Sequence, residues 1–152
     1  MGASYLTIYR RKLPHWRMEG SIYFVTWRLA KGQNPLKPAE RSLVADALTH
    51  FDGQCYELLA YVVMDDHVHA LVLPLAPHTL QQILHSWKSF TAKALRGLSK
   101  RAVPVWLDEY FDRIIRDEKD LIQKAEYILG NPVKRWPETV EYPWVGLGFG
   151  DG

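Results

Sequence analysis

The chain has 152 residues, of which 47% are hydrophobic and 12% aromatic, with one cysteine and a formal net charge of +2. This is material for one globular domain over residues 1–152 with a real core, and it excludes a disordered chain. A lone Cys55 excludes an internal disulfide or a Cys-based zinc cluster, and no apolar run reaches the roughly 18 residues of a membrane span, so a reducing cytoplasmic setting without a membrane partner is expected.

Residues 1–20 form a basic arm: Arg10, Arg11, Lys12 and Arg17 stand there with no acidic residue before Glu19. The next segment, SIYFVTWRLA, is dense in β-branched and aromatic residues, and its residues 22–29 read as a strand. A loop with Gly32, Asn34 and Pro35 leads to Pro38 at a first helical position. Leu43, Val44, Ala47, Leu48 and Phe51 then share one stripe, with Gly53 as the stop.

Residues 57–64 and 67–73 make two apolar strands around Asp65-Asp66, a turn signal, so a β-hairpin is expected. His67 and His69 open its second strand. Residues i and i+2 of a strand point to the same face, which places the two imidazoles side by side and near the surface. Such a pair suits a divalent ion; the other reading is two half-buried histidines hydrogen-bonded to backbone.

Thr79 caps a second helix in which Leu80, Ile83, Leu84, Trp87, Ala94, Leu95 and Leu98 give the apolar stripe, up to a break near Gly97–Ser99. Its polar side carries Lys88, Lys93 and Arg96. From His67 through Leu107 there is no Asp or Glu, so this window and the N-terminal arm are two basic patches that point to a polyanion. Val105-Trp106 and residues 110–115 read as one or two short strands, which completes the order β-α-β-β-α-β of a ferredoxin-like α+β fold.

A third helix starts at Asp117 and is expected to run to Leu129, where Gly130 and Pro132 stop it. With Tyr127 at zero on the helical wheel, Ile128, Leu121, Ala125, Leu129 and Ile122 occupy about 100° to 220° and face the core. Tyr127 therefore lies on the polar side with Asp120, Gln123 and Lys124, and Asn131 projects over the same face if the last turn persists. It is either a functional phenol or a rim residue. Residues 136–152 form a tail to which no role is assigned.

Four segments in this order, HSWKSFTAKAL after VVMDDHVHALV, then YFDRIIRDE and YILGNPVK, resemble the single-tyrosine HUH transposases. The likeness is to their REP-associated tyrosine transposase branch, in the IS200-like family, and it runs from the first strand to about Arg135. The resemblance implies a ferredoxin-like HUH nuclease fold with a mainly antiparallel sheet and helices packed on it. It implies action on single-stranded DNA, often beside an imperfect hairpin, by a monomer or homodimer. By position, His67 and His69 are the implied metal ligands, with Asn131 completing the site for Mg²⁺ or Mn²⁺, and Tyr127 is the implied nucleophile. Asp65-Asp66 stands where the family often has Pro-Asn, and Leu129 where it often has His. Candidate DNA contacts are Arg11, Lys12, Lys88, Lys93, Arg96 and Arg113. The group that takes the phenol proton is left open between Asp66, Gln123 and water. The competing reading is a non-catalytic ferredoxin-like module for single-stranded DNA or RNA, with Tyr23 or Trp27 stacking bases.

Overall fold

Alternation along the strands decides the architecture. In the computed structural model, which describes residues 20–147, the elements are β1 Tyr23–Arg28, α1 Pro38–His50, β2 Tyr56–Val63, β3 His67–Pro74, α2 Leu80–Ser99, β4 Phe111–Ile114, α3 Glu118–Arg135 and β5 Val145–Leu147. The strands form one antiparallel sheet in the order β4-β1-β3-β2-β5. The first six elements are the expected ferredoxin-like unit; α3 and β5 extend it. Arg11 and Lys12 lie outside the described residues.

Both faces of the sheet are covered. Val25, Trp27, Val68, Ala70 and Val72 pack toward α1 and α2, against Val44, Leu48, Leu84 and Trp87. The intervening residues, Phe24, Leu71, Leu73 and Val62, pack under α3 against Leu121, Ala125 and Ile128. A central strand buried on both sides must be apolar almost throughout, and this accounts for the unbroken run that follows His67. Each fully buried Leu or Val contributes about 1.5–3 kcal/mol, so the two half-cores together fix the register of β3.

The helix ends follow their caps. The Lys37 amide donates to Glu40 Oε1 at 2.9 Å, just ahead of Pro38. Thr79 Oγ1 accepts the Gln82 amide at 3.2 Å, while Gln82 Oε1 accepts that of Thr79 at 3.0 Å. Asp117 Oδ1 accepts from the Asp120 amide at 2.8 Å. α2 continues through Gly97 and ends where Lys100 adopts a left-handed conformation, φ 54°.

Two expectations need correction, and the tail takes a part that the sequence left unassigned. α3 does not stop at Leu129: it runs through Gly130 and Pro132 to Arg135, since proline removes one backbone donor without ending a helix whose flanking turns are packed. Val105-Trp106 forms no strand, only an isolated bridge from Trp106 to Leu29. The tail contributes β5, which pairs with the outer edge of β2 through Ala60, Tyr61 and Val62.

Behind the sheet, one buried ion pair joins three segments. Arg101 donates to both Glu40 oxygens, at 2.7 and 2.8 Å, to the Asn34 and Pro35 carbonyls and to Gln33 Oε1. The guanidinium thus ties the end of α2 to the loop before α1 and to its first turn. The Arg101 hydrogen bond holds the Glu40 carboxyl well below its ordinary 4.5, at about 2. A carboxyl more acidic in the folded state stabilises the fold fully above about pH 4.5, and that contribution fades as pH falls through about 2. Arg101→Ala is expected to cost about 3–5 kcal/mol at pH 7, because it leaves a buried carboxylate unpaired. Urea unfolding at pH 7 and pH 3 checks this: the deficit of the variant should shrink at the lower pH.

Candidate active site

The β2–β3 hairpin closes through Asp65-Asp66, with the Met64 amide donating to the His67 carbonyl at 2.8 Å. Beyond the turn, His67 pairs with Arg28 and His69 with Thr26 in the β1–β3 register. Both imidazoles leave the sheet on the α3 side, with ring centroids 4.6 Å apart. They are not near the surface as the sequence suggested: His67 is 8% exposed and His69 4%. Phe24 is one reason, since it stacks on His69 at 5.4 Å from two positions before Thr26 on the same face.

Burial makes the four ring nitrogens a matter of strict accounting. His67 Nδ1 donates to Asp66 Oδ1 at 2.7 Å. His69 Nδ1 and Thr26 Oγ1 share a 2.7 Å hydrogen bond, whereas His69 Nε2 is buried with no partner. When Nδ1–H donates to the threonine, Nε2 presents its lone pair inward, the arrangement found when a histidine binds a metal. Burial, then the positive charges of His67 and Arg28, push the His69 imidazole down to about 3. Burial pushes the Asp66 carboxyl up, but the His67 hydrogen bond and the charges of His67, Arg135 and Arg28 outweigh it and hold it below its usual range. Among the described residues, no three His, Cys, Asp or Glu side chains gather in one place. Two imidazoles alone suit an open site better than a closed structural zinc.

α3 brings the third group. Tyr127 is 45% exposed, with its ring 5.3 Å from that of His69 and edge-on to Phe24 at 6.0 Å. It stands over the histidines, at the border of core and solvent. One turn on, Asn131 is buried, and its Nδ2 donates to the Tyr127 carbonyl at 3.4 Å. The ring faces a cleft of about 480 Å³ whose walls include Thr26, Arg28, His69, Phe111, Gln123 and Lys124. Arg135, at the end of the helix, pairs with Asp65 at 3.0 Å and Asp66 at 3.6 Å. The tyrosine helix is thereby anchored to the histidine turn.

The basic residues divide. Lys93 and Arg96 are exposed on α2. Lys88 donates to the Leu107 and Asp108 carbonyls at 2.8 and 2.9 Å and borders a second cleft of about 450 Å³ with His85, Arg96 and Tyr110. Burial draws its ammonium below the usual range against the opposing charge of Asp108. Arg113 pairs with the buried Asp120. Trp27 is 1% exposed and Tyr23 packs against the first half-core, so neither offers the free ring that base stacking requires. Sequence reasoning missed Phe24, Thr26 and Arg28, although their i, i+2, i+4 spacing on a strand places them on one face.

No family model matches the chain. Over 140 residues it is 27% identical to the "Putative REP-associated tyrosine transposase" of Haemophilus influenzae, covering 83% of this chain and 78% of that protein. A solved REP-associated tyrosine transposase bound to a REP hairpin superposes with a TM-score of 0.70 at 20% identity, covering 88% of this chain and 81% of the other. The chain is similar to REP-associated tyrosine transposases. A "putative transposase" from Deinococcus radiodurans has a TM-score of 0.55 at 19% identity, over 78% of this chain and 96% of that one. At such identities the two structures share with this chain the α+β, ferredoxin-like fold.

The histidine environment yields a measurable expectation. Because His69 resists protonation when folded, the unfolded chain takes up a proton that the native chain refuses below about pH 6.5. Its contribution to stability is therefore complete above that pH and declines toward about 3. In metal-free protein, the His69 ring signals should show the neutral imidazole at pH 5 by NMR, and His69→Asn should flatten the fall of stability between pH 6.5 and 4.

Proposed function

We propose that the chain is a metal-dependent single-stranded DNA endonuclease and strand transferase that acts at DNA hairpins, with Tyr127 as its nucleophile. The observation that carries this reading is the unpartnered, buried Nε2 of His69 beside His67, with a half-exposed phenol across the same cleft. A binding module has no use for that combination. The hairpin substrate is suggested by the relative solved with a REP hairpin.

His67 and His69 would hold the ion through Nε2, with the Asn131 amide oxygen as a third donor after a side-chain rotation. A bound Mg²⁺ or Mn²⁺ supplies Lewis-acid polarisation of the scissile phosphate. Thr26 and Asp66 fix the imidazole planes from behind. Tyr127 Oη forms a bond to phosphorus as the bond from phosphorus to the 3′ oxygen breaks, which leaves a 5′-phosphotyrosine and a free 3′ hydroxyl. No electrons are exchanged with another species, and the phosphoester energy is kept for rejoining. The phenol must give up its proton as it attacks. Asp66 is engaged by His67 and Arg135, and Gln123 is no base; the acceptor is water in the open cleft, and the 3′ oxygen takes a proton in turn. The histidine pair and the tyrosine all come from one chain, so a single protomer suffices.

Tyr127→Phe removes one oxygen from a solvent-facing edge and should change stability by less than about 0.5 kcal/mol. Hairpin binding is expected to persist while adduct formation on a denaturing gel disappears. Continued cleavage by the Phe variant, or an adduct mapping to Tyr110, would overturn the assignment. His67→Ala with His69→Ala should remove Mn²⁺ binding by calorimetry; stoichiometric binding in the double variant would place the ion elsewhere.

DNA affinity should also fall with salt, by about 0.7 log units per log unit of salt for each phosphate neutralised on a single strand. Neutral substitution of Lys93 and Arg96 together is expected to flatten that slope, and an unchanged slope would show that this face of α2 is merely solvated.

A further inference from the structure

Arg28 is the last residue of β1 and the third on the face that also carries Phe24 and Thr26. It pairs in register with His67, and its exposed side chain borders the cleft shared by His69 and Tyr127. Its backbone is held from the other direction as well, since its carbonyl accepts the Leu107 amide at 2.9 Å. The arginine is thus firmly placed, and its guanidinium is free to reach across the cleft.

Several other basic side chains are already engaged. Arg101 is locked on Glu40, Arg113 on Asp120 and Arg135 on the hairpin aspartates. Lys124, on the same cleft, lies 3.7 Å from Asp120. Arg28 has no hydrogen-bonded or ion-paired side-chain partner among the described residues. A bare cation beside two imidazoles, which themselves receive a cation, is electrostatically unfavourable unless an anion comes between them. Asp66 is the nearby carboxylate that feels the Arg28 charge, but it is already engaged by His67 and Arg135, so a substrate phosphate is the anion that can come between the arginine and the ion.

We propose that Arg28 is a further catalytic residue, whose guanidinium binds a non-bridging oxygen of the scissile phosphate. This rests on the reading of Tyr127 as nucleophile. A planar fork of N–H donors matches phosphate oxygens in pairs. As the Tyr127 Oη–phosphorus bond forms and the bond to the 3′ oxygen breaks, the phosphoryl group gains negative charge on those oxygens, so a fixed cation stabilises the transition state more than the bound substrate. Arg28 donates hydrogen bonds throughout and transfers no proton.

The test compares wild type, Arg28→Ala and Arg28→Lys in single-turnover adduct formation with Mn²⁺, on a hairpin bearing either a normal phosphodiester or a methylphosphonate at the cleavage position. On the phosphodiester, Arg28→Ala is expected to be slower by about 10²- to 10³-fold, with Arg28→Lys recovering part of the loss. Hairpin affinity and Mn²⁺ stoichiometry should stay near wild type. On the methylphosphonate, where the charge is already removed, the penalty for Arg28→Ala should shrink. A rate within about threefold of wild type on the phosphodiester, an equal loss on both substrates, or a loss explained by weaker hairpin or Mn²⁺ binding overturns the role of Arg28. A wild type that forms no adduct on the phosphodiester overturns the tyrosine reading itself, and a wild type active only through another tyrosine does the same.

Discussion

The structure turns on the burial of two imidazoles on the central strand. β3 has the sheet on both sides and helices over both faces, so His67 and His69 sit where unpaired polar atoms are costly, about 1–3 kcal/mol for each one left without a partner. Asp66 and Thr26 satisfy one nitrogen of each ring. The remaining nitrogen of His69 has no protein partner. Such a group is costly to leave bare, and it borders the cleft that Tyr127 also lines.

The rest of the molecule keeps α3 in register with that strand. Leu121, Ala125 and Ile128 dock one stripe of the helix on the sheet, which turns Tyr127 toward its border. Arg135 clamps the far end to Asp65 and Asp66. Past the helix, the chain doubles back: the Tyr142 hydroxyl donates to the Val63 carbonyl at 2.7 Å, and the Val63 amide donates to the Trp144 carbonyl at 2.9 Å. Arg41 lies 4.7 Å over the Trp144 ring, so α1 also restrains this return. Phenol and imidazoles are thus set against each other by the docked stripe and by contacts at the C-terminal end of the helix.

How much of this was legible in the sequence depended on the range of the cause. The pairing of His67 with His69 and the offset of Tyr127 from the apolar stripe are local periodicities, and both appear as read. Thr26 and Arg28 obey the same two-residue rule, yet nothing local marks them until the register of β1 against β3 is known. The depth of the histidines is not legible, because their cover comes from Phe24 of β1 and from α3, both distant in sequence. Charge along the sequence is a weak guide to which cations are free: Arg101 lies in the acid-free window and Arg113 among acids, yet Glu40, distant in sequence, and Asp120 claim them. Pro132 reads as a stop, yet the next turn closes, with the Trp136 amide donating to its carbonyl. β5 has three residues, too few for any periodic signal.

That short strand has a consequence for how the protein behaves in solution. β2 would otherwise end the sheet with an open row of backbone donors and acceptors along Ala60, Tyr61 and Val62, flanked by apolar side chains, which is a template for pairing with another molecule. Val145–Leu147 occupies that row. Gly146 lets it lie close, since a Cβ there would come within 2.8 Å of the Tyr61 ring. Shortening the chain before Val145, or placing a bulkier residue at 146, would bare the edge and leave it open to pairing between molecules.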